Sequence, residues 1–157
     1  MKRHSPSLIL ALLLLVADQL TKILIVRSIP LYESSCVIPG FFDLTHIRNR
    51  GAIFGFLNQS DSELIRFGLL TASLFALVFI LVYFFRTPPT EKSLKLALTL
   101  ILAGATGNMA DRIIKGYVVD FLDFYAGGWH FPSFNVADSC ITCGAALLLF
   151  VFFFRKG

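Results

Sequence analysis

Four stretches of the chain are almost wholly apolar, and the polar positions between them fall into intervals of different character. Residues 8–26 form the first apolar run, behind a short basic start at Lys2, Arg3 and His4. At about 1.5 Å per helical residue this run reaches roughly 28 Å, enough for the hydrocarbon core of a bilayer. The run continues past Asp18 to Val26 without a small-x-small cleavage site, which argues for a membrane span over a removed signal peptide. Further spans are predicted over residues 64–85, 94–110 and 136–154. Ala103-Gly104 and Gly107-Asn108 place small residues one turn apart in the third, where another helix can approach closely.

The interval 29–59 reads differently. Pro30, Pro39 and Gly40 break helices, residues 41–47 carry β-type side chains with partial alternation, and Asn49-Arg50-Gly51 supplies turn chemistry before the apolar residues 52–56. A small apolar β-element resting on the membrane surface is expected there. Ser60-Asp61-Ser62-Glu63 fits a capping box, so a helix should start near Asp61 and carry Arg66 near the interface. Residues 86–92 form a proline-stopped loop, and residues 112–133 read as a polar and aromatic loop with a Gly127-Gly128 hinge and the lone Trp129. The expected fold class is an all-α membrane protein: a four-transmembrane-helix bundle with a small extracytoplasmic β-element, forming a single domain over residues 1–157.

Composition supports this pattern. Of 157 residues, 56% are hydrophobic and 15% charged, against about a quarter charged in soluble domains. The net charge of +4 could suggest nucleic acid, but the basic residues flank the apolar runs, where they set topology. Lys2, Arg3, Arg86, Lys92, Lys95, Arg155 and Lys156 crowd short segments on one side. Arg27, Arg48, Arg50, Arg66, Arg112 and Lys115 spread over two long segments on the other. Short flanks decide orientation, so both termini are expected in the cytoplasm. Cys36, Cys140 and Cys143 are an odd set, read as small packing residues.

The polar residues near the spans raise the question of chemistry, because ionisable groups at membrane depth are costly. Asp18 and Lys22 stand four apart on one helix face and can neutralise one another, or brace a site against neighbouring spans. Asn135-x-x-Asp138 opens the fourth span, where Asn is a natural N-cap and an acidic residue suits the positive helix end. Asn108-x-x-Asp111 ends the third span, where a carboxylate is disfavoured and Arg112 could compensate. With Asp120 in the loop between them, these residues fit either capping with ion pairing or a paired-carboxylate site for acid–base hydrolysis, in which like charges drive one group to keep its proton. His46 and His130 lack metal-ligand spacing, and Ser133 and Ser139 lack partners for nucleophilic catalysis, so no metal or cofactor is expected.

Five elements in this order resemble the bacterial lipoprotein signal peptidases (signal peptidase II), four-span aspartyl peptidases. They are Asp18-Gln-Leu-Thr21-Lys22, Asn49-Arg-Gly51-Ala52, Gly107-Asn-Met-Ala-Asp-Arg112, Val118-Val-Asp-Phe121 and Phe134-Asn-Val-Ala-Asp138. The resemblance covers nearly the whole chain. It implies an endopeptidase that removes the signal peptide from a prolipoprotein, cutting just before the cysteine that carries diacylglycerol. It further implies a catalytic dyad of Asp120 and Asp138, with Asn108, Asp111, Arg112 and Asn135 in support and Asn49 with Gly51 shaping the outer β-element over the substrate. The implied setting is the bacterial cytoplasmic (inner) membrane, with the site at the outer face, membrane lipid as a neighbour, globomycin-type peptides as inhibitors, and a monomer. The rival class is a small proton-coupled carrier using Asp18 and Lys22 as relay groups.

Overall fold

The computed structural model describes residues 4–51 and 63–154. The expected apolar run 52–56, residues 60–62 of the capping box, Lys2, Arg3, Arg155 and Lys156 lie outside the described residues, as do the side chains of Glu63 and Arg66. In chain order the elements are α1 (Ser5–Ser28), β1 (Ser34–Ile38), β2 (Phe42–Asn49), α2 (Glu63–Arg86), α3 (Lys92–Lys115), β3 (Val118–Ala126), β4 (Trp129–His130) and α4 (Val136–Phe154). All four helices are long and apolar enough to cross a membrane by length and composition.

The helices are arranged around α3, which packs against each of the other three. It is the helix with most of its length buried, whereas α1, α2 and α4 turn Leu12, Leu13, Phe75, Phe79, Phe150 and Phe153 outward. An apolar exterior of this extent marks a surface made for lipid. The small residues of α3 explain its central place. A Cβ on Gly104 would lie 2.2 Å from the Ala137 carbonyl oxygen, and one on Gly107 would lie 2.7 Å from Asp18 Oδ2. Gly144 of α4 returns the fit, its missing Cβ falling 2.8 Å from the Ala97 carbonyl oxygen. Backbones can therefore approach where side chains would hold them apart.

Away from the sheet, Phe84, Leu94, Leu98 and Leu102 form a buried cluster between α2 and α3. Lys95, counted above as a topology charge, is buried there: its ammonium donates to the Phe84 carbonyl, sits 3.4 Å from the Thr87 carbonyl, and lies over the Phe84 ring. A cation at the closing carbonyls of α2 is favoured by the helix dipole.

At the other end of the bundle the four strands form an antiparallel sheet in the order β1-β2-β3-β4. It is seated on the bundle by Ile25 and Ile29 at the end of α1 and by Val119 and Phe121 of β3. The loop expected over residues 112–133 is corrected here. Helix α3 continues to Lys115 and closes on Gly116 at φ +76, five residues beyond the expected end, because Ile113 and Ile114 carry no helix stop and Gly116 supplies the left-handed cap. β3 follows, and Gly127 (φ +56) and Gly128 (φ +86) form a tight two-residue hairpin turn into β4 in place of a hinge. Cysteine packing is also corrected: Cys140 is buried, but Cys36 and Cys143 are exposed on the chain, and all three are free thiols.

Candidate active site

The sheet carries Asp120 and α4 carries Asp138. Successive side chains of a strand point to opposite faces, so Val118 and Asp120 share one face of β3, and both faces are buried there. Across the ladder Asn49 pairs with Val118 and Ile47 with Asp120, which puts Asn49 diagonal to Asp120 on that face. Its Nδ2 donates to Asp120 Oδ2 at 2.9 Å. The segment leading into α4 lies alongside the same strand, because Phe134 and Leu122 exchange backbone hydrogen bonds at 3.2 and 2.8 Å. That pairing delivers Asn135, whose Nδ2 donates to Asp120 Oδ1 at 2.7 Å.

Asn135 is also the N-cap of α4, accepting the Asp138 backbone N–H on Oδ1 at 2.9 Å. One side chain thus both caps the helix and touches Asp120. The acceptor role at Oδ1 orients the carboxamide, leaving its NH₂ for Asp120. Asn49 is oriented in the same manner, since Gly51 N–H donates to its Oδ1 at 2.9 Å. Both oxygens of Asp120 therefore receive carboxamide donors. Even so, its pKa is pushed up to about 7, first by burial and then by the charge of Asp138, against the lowering influence of the two asparagines. Asp138, in the first turn of α4, receives Asn108 Nδ2 on Oδ1 at 2.7 Å.

Beneath this pair runs a buried polar network joining three helices. Lys22 Nζ lies 2.8 Å from Asp18 Oδ2, 2.8 Å from Asp111 Oδ2 and 3.1 Å from Asn108 Oδ1. Asp111 Oδ1 takes Lys115 Nζ at 2.8 Å. Asp18 Oδ1 accepts the Ala137 backbone N–H at 2.9 Å, and Gln19 Nε2 donates to Asp18 Oδ2 at 3.0 Å. Asp18, Lys22 and Asp111 have at most 1% exposure. Buried charges are tolerable only when paired, and alternating Asp and Lys supply the pairs, with Asp111 Oδ2 held to Lys22 by charge without a hydrogen bond.

Every site residue expected from sequence falls in or beside this cluster, with two corrections. Asp120 stands in a strand, where register with β2 fixes it. Asp111 pairs with Lys22 and Lys115 in place of the expected Arg112, whose Nη2 donates to the Gly51 carbonyl at 3.2 Å. Lys115 was overlooked, although its i, i+4 spacing from Asp111 is visible once α3 is extended. A histidine–aspartate contact, His130 Nδ1 at 2.9 Å from Asp123 Oδ2, joins β4 to β3. Among the described residues no group of three or more His, Cys, Asp or Glu is arranged to hold a metal ion.

Arg50, Arg112 and Gly116 together with Leu64, Phe67, Leu69 and Leu70 line a cleft of ≈ 540 Å³ between α2 and the end of α3. Its walls are apolar and its polar groups are cationic, so it can take an amphiphilic chain.

Comparison with known proteins agrees in sequence and in shape. The family model described as Signal peptidase (SPase) II matches residues 10–154. A lipoprotein signal peptidase of Nitratidesulfovibrio vulgaris is 48% identical over 147 residues, 94% of this chain and 88% of the relative. One from Desulforapulum autotrophicum is 44% identical over 144 residues, 92% of this chain and 89% of the relative. A bacterial membrane enzyme solved by the in meso method at 1.9 Å resolution superposes with a TM-score of 0.81 at 33% identity, covering 97% of this chain and 95% of that one. A second, at 2.3 Å resolution, gives 0.79 at 32% identity, covering 95% and 88%. Since the match runs through all four helices and the sheet between them, this chain belongs to the signal peptidase II family.

Proposed function

We propose that this chain is an aspartyl endopeptidase that cuts the signal peptide from prolipoproteins just before the diacylglyceryl-modified cysteine, with Asp120 and Asp138 as its catalytic pair. The observation that carries this reading is the double role of Asn135. One carboxamide holds Asp120 through its NH₂ and the first turn of α4, with Asp138, through its oxygen.

In the proposed reaction Asp138 takes a proton from a water molecule as the water oxygen attacks the scissile carbonyl carbon. Asp120 gives its proton to the amide nitrogen as the C–N bond of the tetrahedral intermediate breaks. The roles divide this way because Asp120 holds its proton to about pH 7, whereas Asp138 sits at the positive end of α4 and faces a carboxamide donor. Donors aimed at a carboxylate before substrate arrives need no rearrangement during the reaction. The lipid tails of the substrate remain in the bilayer while the peptide bond reaches the sheet end of the helices.

The same reading puts both termini in the cytoplasm and the sheet at the outer face, has a monomer as the working unit, and makes globomycin-type peptides ligands of the cleft. The carrier alternative has no comparable support, since Asp18, Lys22, Asp111 and Lys115 form one closed network.

The test is cleavage of a lipidated prolipoprotein by purified protein. Asp120→Asn and Asp138→Asn should each fold and each lower turnover by at least ~10²-fold. Near-normal turnover in either folded variant would remove that residue from the pair.

A further inference from the structure

Lys22 contributes more to this site than charge balance. Its ammonium is wholly buried and meets Asp18, Asp111 and the carboxamide oxygen of Asn108. Asp18, Lys22, Asp111 and Lys115 already sum to zero, so the contact with Asn108 is not required for neutrality. An ammonium has donors only, so Asn108 must turn its oxygen toward Lys22. The opposite side of that carboxamide is then its NH₂, and it lies 2.7 Å from Asp138 Oδ1. If the amide flipped, an oxygen would face a carboxylate oxygen, an arrangement relieved only by a proton on Asp138.

We propose that Lys22 is a positioning residue of the peptidase reaction, locking the Asn108 carboxamide so that an N–H always faces Asp138 and leaves it ready to accept the proton of the attacking water. The inference rests on the reading of Asp138 as general base. Asn49 and Asn135 are locked toward Asp120 by backbone N–H groups. Asn108 lies inside α3, where backbone N–H groups are committed to the helix, and a buried side-chain donor takes over that task. The charged groups around the lock are Asp18 from α1, Asp111, Arg112 and Lys115 from α3, Asp120 from β3, and Asp138 from α4.

The experiment compares purified full-length variants on a lipidated prolipoprotein. Lys22→Met alone leaves two buried aspartates short of a cation and is expected to destabilise the fold strongly. It is therefore made together with Asp111→Asn, which removes one charge of each sign, and folding is checked by thermal unfolding. Relative to Asp111→Asn alone, the double variant should lose about ten- to a hundredfold in kcat, as expected for one hydrogen bond to a charged group. KM should stay within about twofold, because the lost interaction does not touch substrate. With Asn108→Ala already in place there is no carboxamide to orient, so adding the same pair of changes should lower kcat by less than about threefold. An equal loss in the Asn108→Ala background, or a folded Lys22→Met/Asp111→Asn protein with unchanged kcat, overturns the proposal. Near-normal turnover in Asp138→Asn refutes the general-base reading itself and takes the Lys22 proposal with it, a result recognisable without any Lys22 variant.

Discussion

Asn135 Nδ2 donates to Asp120 Oδ1 at 2.7 Å, joining the entry of a membrane helix to the middle of a strand. Asn135 is wholly buried and Asp120 nearly so, so the bond is made away from water, where a hydrogen bond is stronger and its loss more costly. The rest of the carboxamide starts α4. Helix geometry and carboxylate geometry are therefore tied to one side chain.

That tie can be separated by substitution. Asn135→Asp keeps an oxygen for the Asp138 N–H but replaces the donor to Asp120 with a second carboxylate. It should retain the cap while turnover falls at least ~tenfold. Asn135→Ala loses both roles and should destabilise the protein by about 1–2 kcal/mol beyond its effect on turnover. Thermal unfolding in detergent beside a cleavage assay distinguishes them. Equal stability losses for the two would mean that the cap contributes nothing.

Asp120 also sets a pH dependence. Its folded pKa of about 7 lies above its ordinary value of 3.8, so the folded state holds the proton more tightly than the unfolded chain. Its contribution to stability is full below the ordinary value, declines as pH rises through the window between the two values, and is constant above about 7. The stability of Asp120→Asn relative to the parent should accordingly rise from about pH 4 to about pH 7 and then level off. In the proposed role of general acid Asp120 must be protonated, so parent turnover should fall on the alkaline side of about pH 7. A stability difference that does not change across this range would contradict the raised pKa.

Gly104 gives a purely steric prediction. Its missing Cβ would fall 2.2 Å from the Ala137 carbonyl oxygen, a backbone atom at the start of α4. Gly104→Ala must push that turn away, and Asp138 with it. The expected cost is about 1–3 kcal/mol, as for overpacking in general, together with reduced turnover in the folded fraction. Gly68→Ala, where nothing lies within 4 Å, is the control and should unfold with the parent.

The spans were legible because lipid demands long apolar runs, and α4 begins and ends where hydrophobicity alone places it. The candidate site was legible because its Asn and Asp residues stand beside strongly apolar sequence, where polar groups are costly. β3 was missed for a physical reason: Val118-Val-Asp-Phe-Leu-Asp-Phe-Tyr has apolar residues on both faces, so period-two alternation is blurred where one face meets α1 and the other meets the carboxylate site. Register carried the rest. That Asn49 reaches Asp120 depends on the pairing of β2 with β3, which includes an irregularity between Leu44 and Ile47, and no local pattern in either segment encodes it. The partners of Asp111 were hidden likewise, since Arg112 is adjacent in sequence but points from a different side of the helix than Lys115, one turn on.

Asp111 provides the sharpest contrast with the proposed catalytic pair. It is completely buried, with Lys22 on one oxygen and Lys115 on the other. Asp111→Asn keeps shape but removes the negative charge between two cations. Lys22 retains Asp18 and Asn108, so the cost should sit near the low end for a broken buried pair, about 3 kcal/mol. The consequence is lower abundance and a lower Tm. Turnover per folded molecule should fall by no more than a few-fold, because Asp120 and Asp138 keep all three of their asparagine donors. Asp120→Asn and Asp138→Asn should show the reverse, with normal abundance and turnover reduced by at least ~10²-fold. Measuring kcat per folded molecule, with the folded amount fixed by thermal unfolding, separates the two patterns. If folded Asp111→Asn is inactive while Asp120→Asn cleaves at near the parent rate, the reacting pair is Asp111 and Asp138, and Asp120 is the structural residue.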